Sequence, residues 1–285
     1  MEQGITFDLY VLPEGCISNI LSLTSPTDAC RSSVVSSVFR SAANSDSVWE
    51  KFLPSDIHQI LSSSVSPSSL PNFSSKKELF LHLCDNPLLI DRGIKTFGLE
   101  KCSGKKCFMI GEKGLTVVWG DTPRYWKWRS DPESRFSEVA ELVNLCWLEI
   151  RGKLETRLLS PNSTYGAYLV LKFTDNAHGF KDVLADVSVK LANDGGAEEG
   201  EVKFVYLGPE QQLGRQEGQG LMERGDGWME IEMGEFFNER DEDGEVEMSL
   251  LEVKSGNWKS GLIIQGIELR PKVSQLRSSN QYEHV

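Results

Sequence analysis

The sequence predicts an α+β, multidomain chain: a small N-terminal unit of three short helices, then a mainly antiparallel β-sandwich. Three observations predict it. Between residues 12 and 53 apolar side chains recur at helical spacing between cap signals. Beyond residue 91 the period becomes two, with Val183, Ala185, Val187, Val189 and Leu191 alternating with Asp186, Ser188 and Lys190. Between the two regimes lies SSSVSPSSLPNFSS, residues 62–75, whose Ser and Pro content resists packing.

The helices follow in order. Leu12-Pro13 opens the first, because proline in the first turn loses no N–H bond. Ile17, Ile20 and Leu21 form its apolar stripe. Ser25-Pro26-Thr27-Asp28 is a second start with a capping-box pattern. Val34, Val35, Val38, Phe39 and Ala42 continue that helix's apolar face. Asn44 to Asp46 offers another cap, and Trp49, Phe52 and Leu53 load the third helix. A unit this small buries little surface alone, and exposed apolar stripes call for a partner. After the Ser-rich stretch a short helix is expected with Leu79, Phe80 and Leu83 on its apolar side.

The strands follow. Residues 167–173, AYLVLKF, read as a strand buried on both faces. Trp228 to Met233 alternates with Glu230 and Glu232. Asp243-Gly244 is a hairpin signal, and Val246, Met248 and Leu250 alternate after it. The phase slip at Leu250-Leu251 predicts a bulge. Leu262 to Leu269 closes the series. The expected units are 7–55, a linker with a short helix over 56–90, the sandwich over 91–272 and a polar tail over 273–285.

Composition narrows the function. The formal charge is −12. It is concentrated in residues 193–250, which hold 17 Asp and Glu against 4 Lys and Arg. No basic stripe suits a phosphate backbone, so nucleic acid is not an expected partner. No run of about 18 apolar residues predicts a membrane span, and the N-terminus lacks the pattern of a signal peptide. The 6 cysteines are then read as reduced thiols of the cytoplasm or nucleus. Their spacing is not that of a zinc site, and no cofactor motif is present.

Motifs go further than composition. Leu12-Pro13, Ile17/Ile20/Leu21, Pro26/Asp28, Val35/Phe39/Arg40 and Asp46/Trp49 together resemble the F-box. Two positions depart from its pattern: Phe39 replaces the usual Trp and Ala29 the usual Leu. The resemblance implies docking on a Skp-type adaptor, and through it on a cullin, by Leu12, Pro13, Ile17, Ile20, Leu21, Val35, Phe39 and Trp49.

The β-rich half carries its own series. It includes LTVVW at 115–119, PRYWKW at 123–128, CWLEI at 146–150, TYGAY at 164–168, DGWMEI at 226–231, GEFFN at 234–238 and WKSG at 258–261. In this order they resemble the phloem protein 2 family, whose sugar-binding relative is the tobacco lectin Nictaba. The resemblance covers residues 97–271 and implies a jelly-roll-like lectin domain. It carries sites for N-acetylglucosamine oligomers onto Trp119, Trp126, Glu235 and Glu242. Indoles pack on the apolar face of a pyranose, and carboxylates accept its hydroxyls. Trp128, Trp147, Trp228 and Trp258 are assigned to core or rim packing. An F-box joined to this domain resembles the plant B-type members of the family.

Catalysis is not expected. Glu235 and Glu242 could flank a glycosidic bond, but one of them would need an apolar pocket to raise its pKa. Glu242 sits between Asp241 and Asp243 in an acidic loop. No nucleophile motif surrounds any of the 4 histidines. The expected role is therefore a non-catalytic receptor subunit in protein ubiquitination. Its sandwich selects targets through glycans or, alternatively, as a plain protein-interaction module.

Overall fold

The computed structural model describes residues 12–193, 196–197, 201–208, 220–239 and 244–272. Its helices are α1 (Glu14–Ser22), α2 (Pro26–Ser32), α3 (Ser37–Asn44), α4 (Asp46–Phe52), α5 (Ile57–Ser62) and α6 (Lys76–Asp85). Four helices therefore occupy residues 12–53 where three were expected. Ser25 caps α2, its Oγ accepting the Asp28 N–H at 3.1 Å. That helix ends at Ser32, because Ser33 and the β-branched pair Val34-Val35 are poor helix formers. Ser36 then recaps the chain, accepting the Phe39 N–H at 3.2 Å, and α3 begins.

Trp49 anchors this helical unit. Its Nε1 donates to the Ala43 carbonyl at 2.7 Å, and its ring meets Phe52 at 5.6 Å and Phe80 of α6 at 5.2 Å. Ser75 caps α6, which buries Leu79, Phe80 and Leu83 as the sequence predicts. The Ser-rich stretch is tied down in part, with the Val65 N–H donating to the Leu89 carbonyl at 2.8 Å. The helices lean on the β-domain. A Cβ at Gly104 (φ +74°) would lie 2.8 Å from the Phe52 carbonyl, and Lys106 pairs with Asp56 at 2.7 Å. One continuous apolar core joins the two regions.

The strands are β1 (Leu88–Ile90), β2 (Lys95–Leu99), β3 (Lys106–Gly111), β4 (Thr116–Val117), β5 (Trp126–Arg129), β6 (Val139–Leu142), β7 (Leu148–Glu155), β8 (Ser163–His178), β9 (Leu184–Asn193), β10 (Gly196–Ala197), β11 (Val202–Tyr206), β12 (Met222–Glu223), β13 (Met229–Asn238), β14 (Glu245–Glu252) and β15 (Ser260–Pro271). The larger sheet runs β1-β2-β3-β15-β8-β13-β12, with the β5–β6 pair attached through β15. The smaller runs β10-β9-β14-β7-β4, with β11 on β9. The pairings between these described strands are antiparallel. Leu169, Leu171, Ile231 and Ile267 of one sheet share a core with Ile150, Val187, Met248 and Leu250 of the other.

Strand β8 is central and buried on both faces, as its near-continuous apolar run predicts. Leu169 and Leu171 face the inter-sheet core. Val170 packs outward with Met109, Phe136 and Trp228 in a second cluster. Two expectations fail. Asp241 and Asp243 lie outside the described residues, but the strands on either side rule out a hairpin at Asp243-Gly244. Strand β13 pairs with β8 and β12, whereas β14 pairs with β7 and β9, so the chain crosses between sheets there. The bulge at Leu250-Leu251 is also absent, since β14 keeps register with β7 from Glu245 to Glu252. The apparent phase slip has another cause. Glu252 takes the next inward position after Leu250, buried in an ion pair with Lys259.

Candidate functional site

The turns between β3 and β5 build a cleft on the β-domain. After β3 the chain makes a short turn, Glu112–Gly114, and pairs briefly with β7 through β4. It then reverses at Trp119, where the Gly120 N–H donates to the Val117 carbonyl at 3.0 Å. Trp119 takes φ +55°, a region that costs a non-glycine residue about 1–3 kcal/mol. Strand β5 follows, with Trp126 and Trp128 two residues apart on one face. Both indoles lie against the Trp119 turn. Trp126 Nε1 donates to the Val118 carbonyl at 3.1 Å and Trp128 Nε1 to the Gly120 carbonyl at 2.9 Å.

The two fates differ by depth. Trp126 is 1% exposed, while Trp128 is 36% and Trp119 47% exposed. Trp119 and Trp128 line a cleft of about 510 Å³ with Leu115, Val117 and four charged residues: Glu112, Lys113, Asp121 and Glu138. Lys113 is already paired with Glu138 at 2.7 Å. Glu112 is different: it is 2% exposed, and its Oε2 has no hydrogen-bond partner among the described residues. Burial pushes its carboxyl up to about 7, with Glu138 adding to the rise and its own backbone N–H and Lys113 opposing it.

That shift has a sign. From the ordinary carboxylate range up to about pH 7 the folded chain keeps a proton on Glu112 that the unfolded chain releases, so its contribution to stability falls as pH rises. Glu112→Gln should remove this loss. The melting temperature of the variant relative to the natural chain should rise between pH 5 and pH 8; a constant difference would show that Glu112 is not a buried acid.

Of the four residues expected to hold a sugar, the three that are described, Trp119, Trp126 and Glu235, are not assembled. Trp119 is at the cleft. Trp126 is a correction: its ring is enclosed in the core and offers no face to a ligand. Glu235 is exposed on β13, where a hydrogen bond from Lys272 at 2.8 Å holds its carboxyl below the usual range, with Lys203 of β11 also contributing. Strand β11 lies at the sheet edge away from β4. Glu242 lies outside the described residues.

The adaptor residues also divide. Pro13, Ile20 and Val35 are exposed, joined by Leu23, Val34 and Val38, which the sequence did not single out for docking. Leu12 and Phe39 are half-buried against the core. Ile17, Leu21 and Trp49 are fully inside, so they hold the helices together and present nothing to a partner. Sequence reasoning also missed Glu112, Glu138 and Trp128 as cleft residues. Trp128 had a signal in its spacing from Trp126. Glu112 had only its place at the end of the apolar run CFMIG.

Comparison with known proteins agrees with these two regions. The Phloem protein 2 family model matches residues 105–271, and an F-box-like model matches residues 9–55. The Arabidopsis thaliana F-box protein At2g02240 is 50% identical over 269 residues, covering 93% of this chain and 81% of that protein. The putative F-box protein PP2-B2 of the same plant is 50% identical, covering 92% and 83% respectively. The F-box protein PP2-B10, also from Arabidopsis thaliana, is 46% identical, covering 94% and 95%. The chain belongs to the plant phloem protein 2 family, in the B-type branch that carries an F-box ahead of the phloem protein 2 domain.

Proposed function

We propose that this protein is a substrate-receptor subunit of a Skp–cullin–F-box ubiquitin ligase, acting in the cytoplasm or nucleus. Its helices dock on the Skp-type adaptor, and its β-domain selects the target. It contributes proximity, holding a target lysine near the conjugating enzyme, while chemistry stays with other subunits. The observation that carries this reading is the apolar side of the F-box-like helices. Ile20 of α1, Leu23 just after it, Val34 and Val35 in the turn between α2 and α3, and Val38 of α3 all stay exposed, although the helical unit is anchored elsewhere by Ile17, Leu21 and Trp49.

The test is co-purification of the whole chain with a Skp-type adaptor. Ile20→Asp with Val35→Asp should cut adaptor affinity by about a hundredfold, as paired losses of interface anchors do. Both side chains are exposed, so the melting temperature should barely move. Undiminished recovery of the folded double variant would overturn the docking reading.

For target selection, the protein-recognition reading is favoured over N-acetylglucosamine oligomers. The sugar reading needs two indoles and two carboxylates around one ligand. Trp126 is enclosed, and Glu235 is committed to Lys272 at the far edge of the sandwich. Of the three described residues, Trp119 alone remains positioned for it.

A further inference from the structure

The cleft between Trp119 and Trp128 has a chemical character of its own. Its walls are two half-exposed indoles with Leu115 and Val117. Three carboxylates and one ammonium line it, and that ammonium, Lys113, is spent on Glu138. One of the lining carboxylates, Glu112, has a buried Oε2 with no hydrogen-bond partner among the described residues. Gln265, beside the Gly266–Gly111 register of β15 with β3, is also buried, and its amide has no hydrogen-bond partner among the described residues. An unpaired buried acid weakens a fold unless something completes it.

We propose that this cleft receives a methylated lysine side chain of the target protein, its alkylammonium group between the two indoles and against Glu112. Each part of the ligand has a counterpart. The quadrupoles of Trp119 and Trp128 attract a cation, and their faces pack on N-methyl groups. The apolar stem of lysine lies along Leu115 and Val117. Glu112 Oε2 is enclosed in the unliganded chain, and a small turn of the side chain into the cleft sets this one unpartnered oxygen against the single N–H of a dimethylammonium. An unmodified ammonium brings three strongly hydrated donors, more than this oxygen can satisfy. A trimethylammonium keeps the charge but has no N–H for Oε2. A neutral sugar could donate hydroxyls to these carboxylates but would leave their surplus negative charge uncompensated. The strained turn at Trp119 fits the same picture, because it holds an indole at the mouth of the cleft instead of in the core.

The groups around Glu112 fix the expected pH dependence. Lys113 is on its own turn, Glu138 precedes β6, and Asp121 follows the Trp119 turn. A cation binds the ionised form of Glu112. Since burial places its carboxyl at about 7, affinity for a fixed cation should rise about tenfold from pH 6 to pH 8. A neutral ligand that accepts a hydrogen bond from the protonated acid would show the opposite slope.

The test is calorimetric titration of the whole chain with short peptides carrying one dimethyl-lysine. The same peptide with trimethyl-lysine, unmodified lysine or acetyl-lysine, and a chitotriose, are the comparisons. The expected order is dimethyl above trimethyl, unmodified lysine weaker, and acetyl-lysine absent. Glu112→Gln should weaken dimethyl-lysine at least tenfold at pH 8 and abolish the pH slope. Trp119→Ala, at an exposed position, should weaken all the cationic peptides alike and guards against a folding defect in the first variant. Chitotriose binding with no peptide binding would overturn the proposal in favour of a glycan. Dimethyl-lysine binding untouched by Glu112→Gln, or no peptide binding at millimolar concentration by folded protein, would overturn it as well. The ligand's source rests on the receptor reading, but the two fail separately: loss of adaptor docking leaves this titration unchanged, and a flat titration leaves docking intact.

Discussion

Trp126→Ala is expected to lower the stability of the chain by about 3–5 kcal/mol, whereas Trp119→Ala should cost under about 1 kcal/mol. The two tryptophans lie seven positions apart in one motif and share an assigned role by resemblance, yet their surroundings are opposite. Trp126 is 1% exposed and donates to the Val118 carbonyl at 3.1 Å. Truncation leaves a ring-sized void and an unpartnered carbonyl, and β5 and β6, paired from Trp126 to Leu142, cannot collapse far to fill it. Trp119 is 47% exposed and loses one ring contact, with Tyr125 at 5.6 Å. Urea unfolding of the two single variants separates these outcomes by a clear shift in midpoint. Comparable small losses would mean that Trp126 is not held in the core. The result bears on function directly. Loss of ligand binding in a double variant would reflect unfolding as readily as a lost platform, so only the Trp119 variant reports on recognition.

The regularities of the chain were legible wherever one residue type answers one question. Strand β8 announces its double burial because both faces are apolar. The caps at Ser25 and the stripe Leu79, Phe80 and Leu83 announce α2 and α6. Reading failed where two physical outcomes share one pattern. A Val-rich stretch with Ser in it is either a continuing helix or a turn with a new cap, and Ser36 decides for the second. Asp-Gly after an acidic run is a hairpin only if the flanking strands share a sheet, and here they do not. The site was less legible for the same reason. Period two places Trp126 and Trp128 on one face but says nothing about depth, which depends on how the Trp119 turn covers the first and leaves the second. Among the F-box residues, the stripe at Ile17, Ile20 and Leu21 marks an apolar face. Only packing shows that Ile17 and Leu21 face inward and Ile20 outward. Glu112 was hidden because an isolated acid in a turn is ordinarily solvated.

Lys259→Met carries the other large expected effect, a loss of about 3–5 kcal/mol, because it strands the carboxylate of Glu252 inside the sandwich. Both side chains are almost fully buried and form an ion pair. Lys259 Nζ also donates to the carbonyls of Asn257 at 2.7 Å and Cys146 at 3.2 Å, while Glu252 accepts the Ser255 N–H at 3.0 Å. One ammonium thus gathers the loop before β15 and the loop before β7, which the backbone pair Leu145 and Lys259 clasps on both sides at 2.9 Å. Removing the partner as well should reverse much of the loss. Lys259→Met with Glu252→Gln leaves no buried charge, so the double variant should be more stable than Lys259→Met alone and the coupling should exceed about 1 kcal/mol. A double variant as unstable as the sum of its singles would show that the two residues act through their separate backbone contacts. The local consequence can be read by hydrogen exchange. Residues 143–147 and 255–259 should open first in Lys259→Met, and the Trp119 turn should follow, because its Val118 N–H is held at 3.1 Å by the Glu149 carbonyl just beyond Trp147. A buried charge pair at this end of the sandwich therefore holds the β7 entrance against which the aromatic cleft is built, and weakening it should blunt ligand binding there without touching a cleft residue.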